Sequence, residues 1–348
     1  MRGEESMYYY LGLSDLKKQA YQLILDSYER MSETIQVSNY KFNEETLNKI
    51  FRMILKDHPE IFWLEGSYSY TICQATGVIW SFSPDYRMNI ERRNQMRKEI
   101  VESEKYFLDG IRFTMTPYEK ALRLYENIPR LVTYDHEATV GEKKEKRKKK
   151  TDDCSTIYGA LVLHKAVCGG YAKAYQYLLS KCGISSIVLD GNTGTGRHSW
   201  NLISLEKEWF HVDVTWGDRI KSFSNGYISY AWFCLTDREV LLTRTWDREL
   251  PLPSCSLNSQ NYYVKNNLYF RSADFNSIIY RVDREIAINK YRRFQLRFAA
   301  TDTMKLVWNY LINENRIFTL YKKNGIDIRK VWHNMDTNLN VLTFWTVV

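Results

Sequence analysis

Three residue types that together carry out covalent catalysis follow one another between residues 166 and 218. They are Cys168, His198 and Asp213, the parts of a thiolate nucleophile, its general base and the carboxylate that orients the base. Their order predicts acyl transfer through a thioester on Cys168. A zinc site built from the same three residues is the competing interpretation, but no C-x-x-C or H-x-x-x-H spacing supports it.

The segment after Cys168 has the pattern of an amphipathic helix. Apolar residues recur at intervals of three and four from Tyr171 to Cys182, and Gly183 supplies a stop. Cys168 is therefore predicted at the helix N-terminus, where unpaired N–H groups and the dipole favour a thiolate. The same N–H groups are suited to an oxyanion, and Gly169 leaves room for a substrate backbone.

The histidine and the aspartate fall on two β-rich runs, 198–205 and 208–215, with polar residues 206–207 between them. This pattern predicts a hairpin with a two-residue loop. Such a loop places Leu205 opposite Glu208, which fixes the pairing of every other position along the two strands.

In that register His198, Trp200, His211 and Asp213 share one face of the hairpin, because side chains alternate between faces. His198 and Asp213 become diagonal neighbours, about 7–8 Å apart at the backbone. His211 lies two residues from Asp213 on the same strand, a poor direction for a mutual hydrogen bond. We therefore predict that His198 is the base.

These motifs resemble those of the transglutaminase-like superfamily of papain-type cysteine enzymes, in its bacterial form. The matching segments are 158–161, 166–172, 198–201 and 209–216, within a region from about Thr116 to Asp218. The chain has Ser199 where the family often has alanine after the histidine.

The resemblance implies an α+β fold with a papain-like core, in which the helix carrying the cysteine packs on an antiparallel sheet. It implies a triad of Cys168, His198 and Asp213. Tyr158 is the favoured position for a further oxyanion donor, and Gly169 and Trp200 are expected next to the substrate. The expected activity is that of a cysteine-dependent peptidase or amidase, or of a protein-glutamine acyltransferase. Its substrate would be a peptide or protein, and no cofactor is expected.

The rival function is a catalytically silent module that keeps the same fold to bind peptides or the cell wall. The intact order of cysteine, histidine and aspartate favours the enzyme.

Charge is concentrated in one place. The chain of 348 residues has a formal net charge of +8, and residues 143–150 carry seven positive charges and one negative. The remainder is close to balanced, so no specific nucleic-acid partner is expected. We predict that the basic loop 141–153 is a flexible, solvated insertion. Its alternatives are a tether to an anionic surface, a source of amine substrates, or a nucleic-acid contact.

The six cysteines are scattered, which argues against a disulfide framework. No apolar stretch approaches the length of a membrane span. The polar start at residues 1–6 predicts a cytoplasmic protein, or an exported one if the sequence has been trimmed. Nothing in the sequence determines the oligomeric state.

Three modules are predicted: an N-terminal α+β module over 1–110, the catalytic domain over 111–250 and a C-terminal α+β module over 251–348. Several helices are expected, over 13–31, 43–56, 89–108, from Thr116 to Pro129 and over 155–165. The last module is predicted as a β–α–β unit, with strands over 294–298 and 340–348 around helices within 301–324.

Overall fold

The computed structural model describes residues 7–139, 153–219 and 226–346. The α-helices are α1 (Tyr8–Leu11), α2 (Asp15–Glu29), α3 (Glu44–Asp57), α4 (Ile90–Phe107), α5 (Pro117–Leu131), α6 (His136–Thr139), α7 (Ile157–Leu161), α8 (Cys168–Lys181), α9 (Val214–Gly217), α10 (Asp237–Val240), α11 (Tyr262–Lys265), α12 (Phe275–Asn289), α13 (Thr301–Trp308) and α14 (Arg316–Lys323). Single 3₁₀ turns lie at Ser38–Tyr40 and Tyr230–Trp232, and Asn309–Asn313 is π-helical.

The strands are β1 (Ile35–Gln36), β2 (Leu64–Ile72), β3 (Ile79–Tyr86), β4 (Thr133–Tyr134), β5 (Lys165–Ala166), β6 (Ser186–Thr193), β7 (Gly196–Leu205), β8 (Glu208–Val212), β9 (Asp218–Arg219), β10 (Tyr227–Ile228), β11 (Phe233–Leu235), β12 (Arg244–Trp246), β13 (Tyr269–Phe270), β14 (Phe294–Phe298), β15 (Val331–Asp336) and β16 (Val341–Thr346).

The central sheet has the strand order β11-β8-β7-β6-β12 and is antiparallel throughout. Its β7–β8 hairpin turns at Glu206 and Lys207, which both have positive φ, as a type I′ turn requires. Leu205 lies opposite Glu208. The predicted hairpin register is confirmed, and so is the predicted α+β class with an antiparallel sheet.

Helix α8 packs on this sheet and carries Cys168 at its first position. The Asn201 amide on β7 donates to the Ala172 carbonyl oxygen at 2.9 Å, which ties the helix to the strand. The helix ends at Lys181, and Gly183 has φ +72, a left-handed conformation that glycine adopts without strain. The predicted start and stop of the helix are both confirmed.

Two smaller sheets flank the central one, in the orders β1-β3-β2 and β13-β14-β16-β15. One hydrophobic cluster joins α2, α3 and α4 to α8, and a second joins Trp200 and Leu202 to the C-terminal strands and helices. Packing is therefore continuous across residues 110 and 250, where the sequence suggested module boundaries. The three-module division remains a prediction.

Several predicted elements differ in detail. Pro129 lies inside α5 and does not end it, because the helix continues to Leu131. The helix predicted over 155–165 is only the five residues of α7, since His164 has φ +52 and the chain then enters β5. The C-terminal module contains the additional strands β13 and β15. The basic run 143–150 lies outside the described residues.

None of the helices within the described ranges is both long and apolar enough to cross a membrane.

Candidate active site

Cys168 begins α8 immediately after β5. Val167 occupies the N-cap position in an extended conformation and provides no side-chain cap, so the N-terminal N–H groups of the helix are available to other partners. A Cβ at Gly170 would lie 2.4 Å from the Cys154 carbonyl oxygen and 2.8 Å from the Ala166 Cβ. Only glycine lets the start of the helix approach the chain before it this closely.

The His198 imidazole links the cysteine to the aspartate. Its Nε2 lies 2.8 Å from Asp213 Oδ2, and the ring is close enough to the Cys168 thiol for each group to shift the pKa of the other. Because Nε2 contacts the carboxylate, Nδ1 is the nitrogen that faces sulfur. The structure brings the three predicted residues together, with His198 between the thiol and the carboxylate.

Asp213 is placed by the end of β8 and by the short helix that follows. It is the N-cap of α9, where its Oδ1 accepts from the Trp216 N–H at 2.9 Å. Its own N–H donates to the Trp232 carbonyl oxygen at 3.0 Å. The sequence predicted that the strand would extend to residue 215, but this cap ends it and leaves Oδ2 free to face His198.

A buried arginine completes the charge arrangement. Arg244, on the edge strand β12, forms an ion pair with Asp213 Oδ2, and both side chains are almost fully buried. Its guanidinium carbon lies 5.1, 4.1 and 4.6 Å from the ring centroids of Trp200, Trp216 and Trp232. The guanidinium of Arg244 is therefore surrounded by three indole rings while it forms an ion pair with the Asp213 carboxylate.

These contacts shift the ionisation of all three groups. Burial disfavours the Asp213 carboxylate, but the charges of His198 and Arg244 hold its pKa well below the ordinary value. Burial would lower the pKa of His198, but the charge of Asp213 and the bond to Cys168 raise it to about 9. Burial would raise the pKa of Cys168, but the hydrogen bond and charge of His198 lower it, helped by the Ser199 N–H. The arrangement favours a thiolate–imidazolium pair.

Tyr134 lies directly over the start of α8. Strand β4 runs parallel to β5 and brings the Tyr134 hydroxyl oxygen to the Cys168 N–H, from which it accepts a hydrogen bond. Burial, together with the charge of Cys168, raises the pKa of Tyr134 to about 12. This phenol remains protonated at neutral pH and keeps its O–H as a donor.

The structure places Tyr158 elsewhere. Its hydroxyl donates to Glu99 Oε2 at 2.6 Å, and its ring packs against Phe62. It is held on the side of α7 that faces α4, so the expectation that Tyr158 is an oxyanion donor is wrong. Tyr134 is the tyrosine that reaches the nucleophile.

Trp200 is also placed differently from the expectation. Its indole is 1% exposed, so it is not a wall that a substrate touches. It stacks on His198 with ring centroids 5.9 Å apart and an interplanar angle of 18°. Trp200 therefore supports the imidazole from beneath.

His211 belongs to a second and separate histidine–carboxylate pair. Its Nδ1 accepts the Trp200 indole N–H at 3.0 Å, and its Nε2 lies 2.8 Å from Asp237 Oδ1. An indole N–H only donates, so the ring proton must sit on Nε2 and be given to Asp237. The predicted preference for His198 over His211 agrees with this geometry, because His211 has no nitrogen left for Cys168.

Two groupings deserve comparison with a metal site. Within the described residues, His211, Asp237 and Cys255 lie close enough to share an ion. However, the Cys255 thiol is hydrogen-bonded to Asp237, and burial together with the negative charge of Asp237 raises the pKa of the thiol. Their polar atoms satisfy one another. At the triad, Arg244 and the His198 imidazolium already neutralise Asp213, and both cations would repel a dication. The donor set fits hydrogen bonding better than zinc binding.

Two cavities lie near the triad, and Cys168 is not among the lining residues of either. One, of about 710 Å³, is lined by Tyr134, His198 and Trp216 and is here named the Tyr134 cavity. The other, of about 530 Å³, is lined by Gly169, Lys173 and Ser199 and is here named the Lys173 cavity. A Cβ added at Gly169 would be 3.7 Å from its nearest neighbour, the Ser155 carbonyl oxygen. A side chain at residue 169 would therefore fit without a steric clash. With glycine there, the backbone itself lines the cavity.

The sequence did not predict that three residues, Tyr134, Lys173 and Arg244, would lie at or near the site. Tyr134 and Arg244 lie on strands of two and three residues, too short to show a period. Lys173 offered one signal, since it is the charged residue within the apolar run 171–175.

Comparison with known proteins gives one match along the sequence. Residues 105–214 match the model of the transglutaminase-like superfamily. The matched segment is just under a third of the chain and contains Cys168, His198 and Asp213. It confirms the resemblance predicted from the motifs. No curated protein matches the sequence.

Two solved structures are similar over part of the chain. A TGase crystal structure shares 15% identity with a TM-score of 0.32, covering 43% of this chain and 44% of that one. A candidate cysteine protease from Cytophaga hutchinsonii shares 11% identity with a TM-score of 0.24, covering 43% of this chain and 61% of that one. This chain spans less than two thirds of either relative, and likenesses this weak add nothing to the match over residues 105–214.

Proposed function

Because the chain carries a transglutaminase-like domain, we propose that it is a cysteine enzyme that transfers or hydrolyses acyl groups through a thioester on Cys168. Its substrates would be peptide or carboxamide bonds. The observation that carries the proposal is the placement of His198 between the Cys168 thiol, whose pKa it lowers, and the Asp213 carboxylate, to which it is hydrogen-bonded. A silent binding module has no need of a thiol whose pKa is lowered by an imidazolium.

The first half of the reaction forms the thioester. The Cys168 thiolate attacks the carbonyl carbon, an S–C bond forms, and the carbonyl electron pair moves to oxygen. The His198 imidazolium then gives the proton on Nδ1 to the leaving nitrogen as the C–N bond breaks. Ammonia or an amine leaves, and the acyl group remains on sulfur.

The second half releases the acyl group. His198, now neutral, takes a proton from water or from an amine as that acceptor attacks the thioester. The tetrahedral intermediate collapses, the C–S bond breaks, and the thiolate–imidazolium pair returns. Asp213 remains ionised throughout and holds the Nε2 proton, which keeps Nδ1 directed at the reacting atoms.

Tyr134 suits the negative charge that develops on the carbonyl oxygen. Its hydroxyl oxygen now accepts the Cys168 N–H, which is the donor that an oxyanion at this site requires. An oxyanion that takes this N–H lies next to the phenol, whose O–H then becomes a second donor. The role proposed here for Tyr134 replaces the one expected of Tyr158.

We expect hydrolysis at least as readily as transfer to an amine. The Tyr134 cavity gives water open access to His198, whereas a productive amine needs a dry, shaped approach. Wild type and Cys168→Ala should be incubated with a glutamine peptide, with and without a primary amine. Hydrolysed product from wild type alone supports the proposal. Equal activity of Cys168→Ala overturns it, and amine adducts that far exceed hydrolysis overturn the preference for water.

A further inference from the structure

The Lys173 cavity has a cationic lining. It lies between α3 and α8, with Gly169 and Ser199 on the side of the nucleophile. Its charged residues are the cations Arg52, Lys56, Arg87 and Lys173 and the anions Glu65 and Asp190. The cavity therefore adjoins the residues that follow Cys168 and His198 in the sequence, and it has an excess of positive charge.

Three of the four cations have partners in the fold. Arg52 forms an ion pair with Glu249, and Lys56 with Asp190. The Lys56 ammonium also donates to the Val188 carbonyl oxygen at 3.0 Å. The Arg87 guanidinium lies 3.1 Å from Asp153 and donates to the Phe62 carbonyl oxygen at 3.2 Å. Their charges are largely neutralised.

Lys173 is different. Among the described residues, no carboxylate oxygen lies within 4.0 Å of its ammonium, and no hydrogen bond to it is formed. Burial lowers its pKa, and Lys56 and Arg87 lower it further, while Asp190 opposes the shift from a longer distance. Its neighbours Ala172 and Ala174 are buried and apolar.

The Lys173 side chain is half-buried and lines the cavity, so an anion that enters can reach an ammonium that has no close carboxylate partner in the part of the chain that the structure describes. A charge-assisted contact with that ammonium would stabilise the bound anion. Carboxylates and phosphates both supply one, but a peptide or carboxamide substrate brings a carboxylate.

The distance from the nucleophile sets where that carboxylate would lie. Lys173 follows Cys168 by five residues on α8, which is about 7.5 Å of helix rise. One extended residue spans about 3.3–3.6 Å, so an anion at Lys173 is at least about two residue lengths from a carbonyl at Cys168. Ser199 links the two places, since its N–H donates to the Cys168 sulfur and its side chain lines the cavity.

We infer that the Lys173 cavity binds a carboxylate of the acyl substrate, about two residue lengths from the carbonyl that Cys168 attacks, with Lys173 as its principal cation. The inference rests on the proposed function and narrows its substrate class to acidic peptides. A C-terminal carboxylate and an acidic side chain are the two sources of such a group.

Three N-blocked glutamine substrates separate these sources: Gln-Gly with a free C-terminus, Gln-Gly amide, and Gln-Glu amide. We expect kcat/KM at least about 10-fold higher for one or both carboxylate substrates than for the neutral amide, as one charge-assisted contact provides. The first substrate alone would identify a C-terminal carboxylate, and the third alone an acidic side chain. Equal rates on all three overturn the inference and leave the proposed function intact.

Variants assign the preference to Lys173. Lys173→Met should abolish it, chiefly through KM, and Lys173→Arg should retain much of it. Lys181→Met, at the far end of the same helix and paired with Glu104, should behave as wild type. A preference that survives Lys173→Met overturns the inference.

A final measurement needs no turnover, so it still tests the cavity if the proposed function fails. Cys168 is alkylated with iodoacetate and with iodoacetamide, which differ by a carboxylate, in a Cys73→Ser background. We expect the ratio of the two rates to fall several-fold in Lys173→Met relative to Lys181→Met, because the opposite charge near the thiolate is lost. An unchanged ratio overturns the inference.

Discussion

Replacing His198 with glutamine should remove the charge that lowers the pKa of Cys168. Glutamine still reaches Asp213 as a hydrogen-bond donor, and Arg244 remains as the partner of that carboxylate. Burial and the charge of Asp213, which both raise the pKa of Cys168, would then be opposed by the Ser199 N–H but no longer by His198. The thiol should return to its ordinary pKa of 9.0 or above.

The size of the effect follows from two opposing factors. A thiol of pKa 9.0 is about 1% ionised at pH 7, so the thiolate population falls by up to about 100-fold. A thiolate of higher pKa is intrinsically more nucleophilic, by about threefold for each unit of pKa, which restores part of the rate. We therefore expect alkylation of Cys168 at pH 7 to slow several-fold.

Iodoacetamide labelling read by peptide mass spectrometry measures this rate. A hydrogen bond from Thr76 also lowers the pKa of Cys73, so the experiment belongs in a Cys73→Ser background. The rate should rise about tenfold per pH unit from pH 7 to 8.5 in the variant, whereas the rate of wild type should rise less steeply because the pKa of its thiol is lower.

His211→Gln is the matched control. It alters the second histidine–aspartate pair, at Asp237, and does not touch the nucleophile. Its thermal midpoint, compared with that of His198→Gln, shows whether either variant is unfolded. If His198→Gln is folded and labels at the wild-type rate with the wild-type pH profile, the ion-pair reasoning is refuted. Loss of labelling in His211→Gln alone would refute the choice of base.

Three further outcomes are expected. Arg244→Met should lower the free energy of unfolding by about 3–5 kcal/mol, because the buried Asp213 loses a partner. Urea titration checks this, with Arg244→Lys, which keeps the charge, losing less; a change below about 1 kcal/mol would contradict the buried pair. The second outcome concerns the pH dependence of stability. Because folding raises the pKa of His198, its protonated form contributes fully to stability below pH 6.5, and this contribution is lost as pH rises towards about 9. On folding, wild type releases a proton from Cys168 and takes one up at His198, so the two effects of pH on stability cancel. In Cys168→Ala only the uptake by His198 remains. The free energy of unfolding of this variant should therefore fall with rising pH, by up to about 1.4 kcal/mol per pH unit. Adding His198→Gln to Cys168→Ala should abolish this pH dependence of the free energy of unfolding. If the pH dependence persists in the double variant, another group is responsible. Finally, deleting 143–150 should leave the thermal midpoint within a few degrees, because a charged loop buries little apolar surface; a larger fall in a thermal scan would show that the run packs or pairs.

The sequence was sufficient for the parts of the site that depend on local periodicity. A two-residue loop leaves one register for the hairpin, so the diagonal contact of His198 with Asp213 follows from counting residues. The stripe after Cys168 and the stop at Gly183 similarly define the helix that presents the nucleophile.

Contacts from distant segments were not predictable in this way. Arg244 lies 31 residues beyond Asp213, and only the edge pairing of β12 with β6 brings the two together. Tyr134 reaches Cys168 through a parallel pairing of two-residue strands. The alternation of side chains along the strand gave the correct face of the hairpin for Trp200. It does not show whether that face is exposed, and in the structure Trp200 is buried.

In the proposed mechanism the arginine matters because His198 would change charge in every cycle. When the imidazolium gives up its Nδ1 proton, Asp213 loses one of its two cationic neighbours while it remains buried. Burial alone would then raise the pKa of the carboxylate and favour transfer of the Nε2 proton to it. Arg244 is bonded to the same Oδ2 and keeps its charge throughout. The proton therefore stays on Nε2, and Nδ1 is left as the acceptor that faces the incoming water or amine. In this structure the tautomer of the base is fixed by Asp213, and the charge of Asp213 is fixed by Arg244.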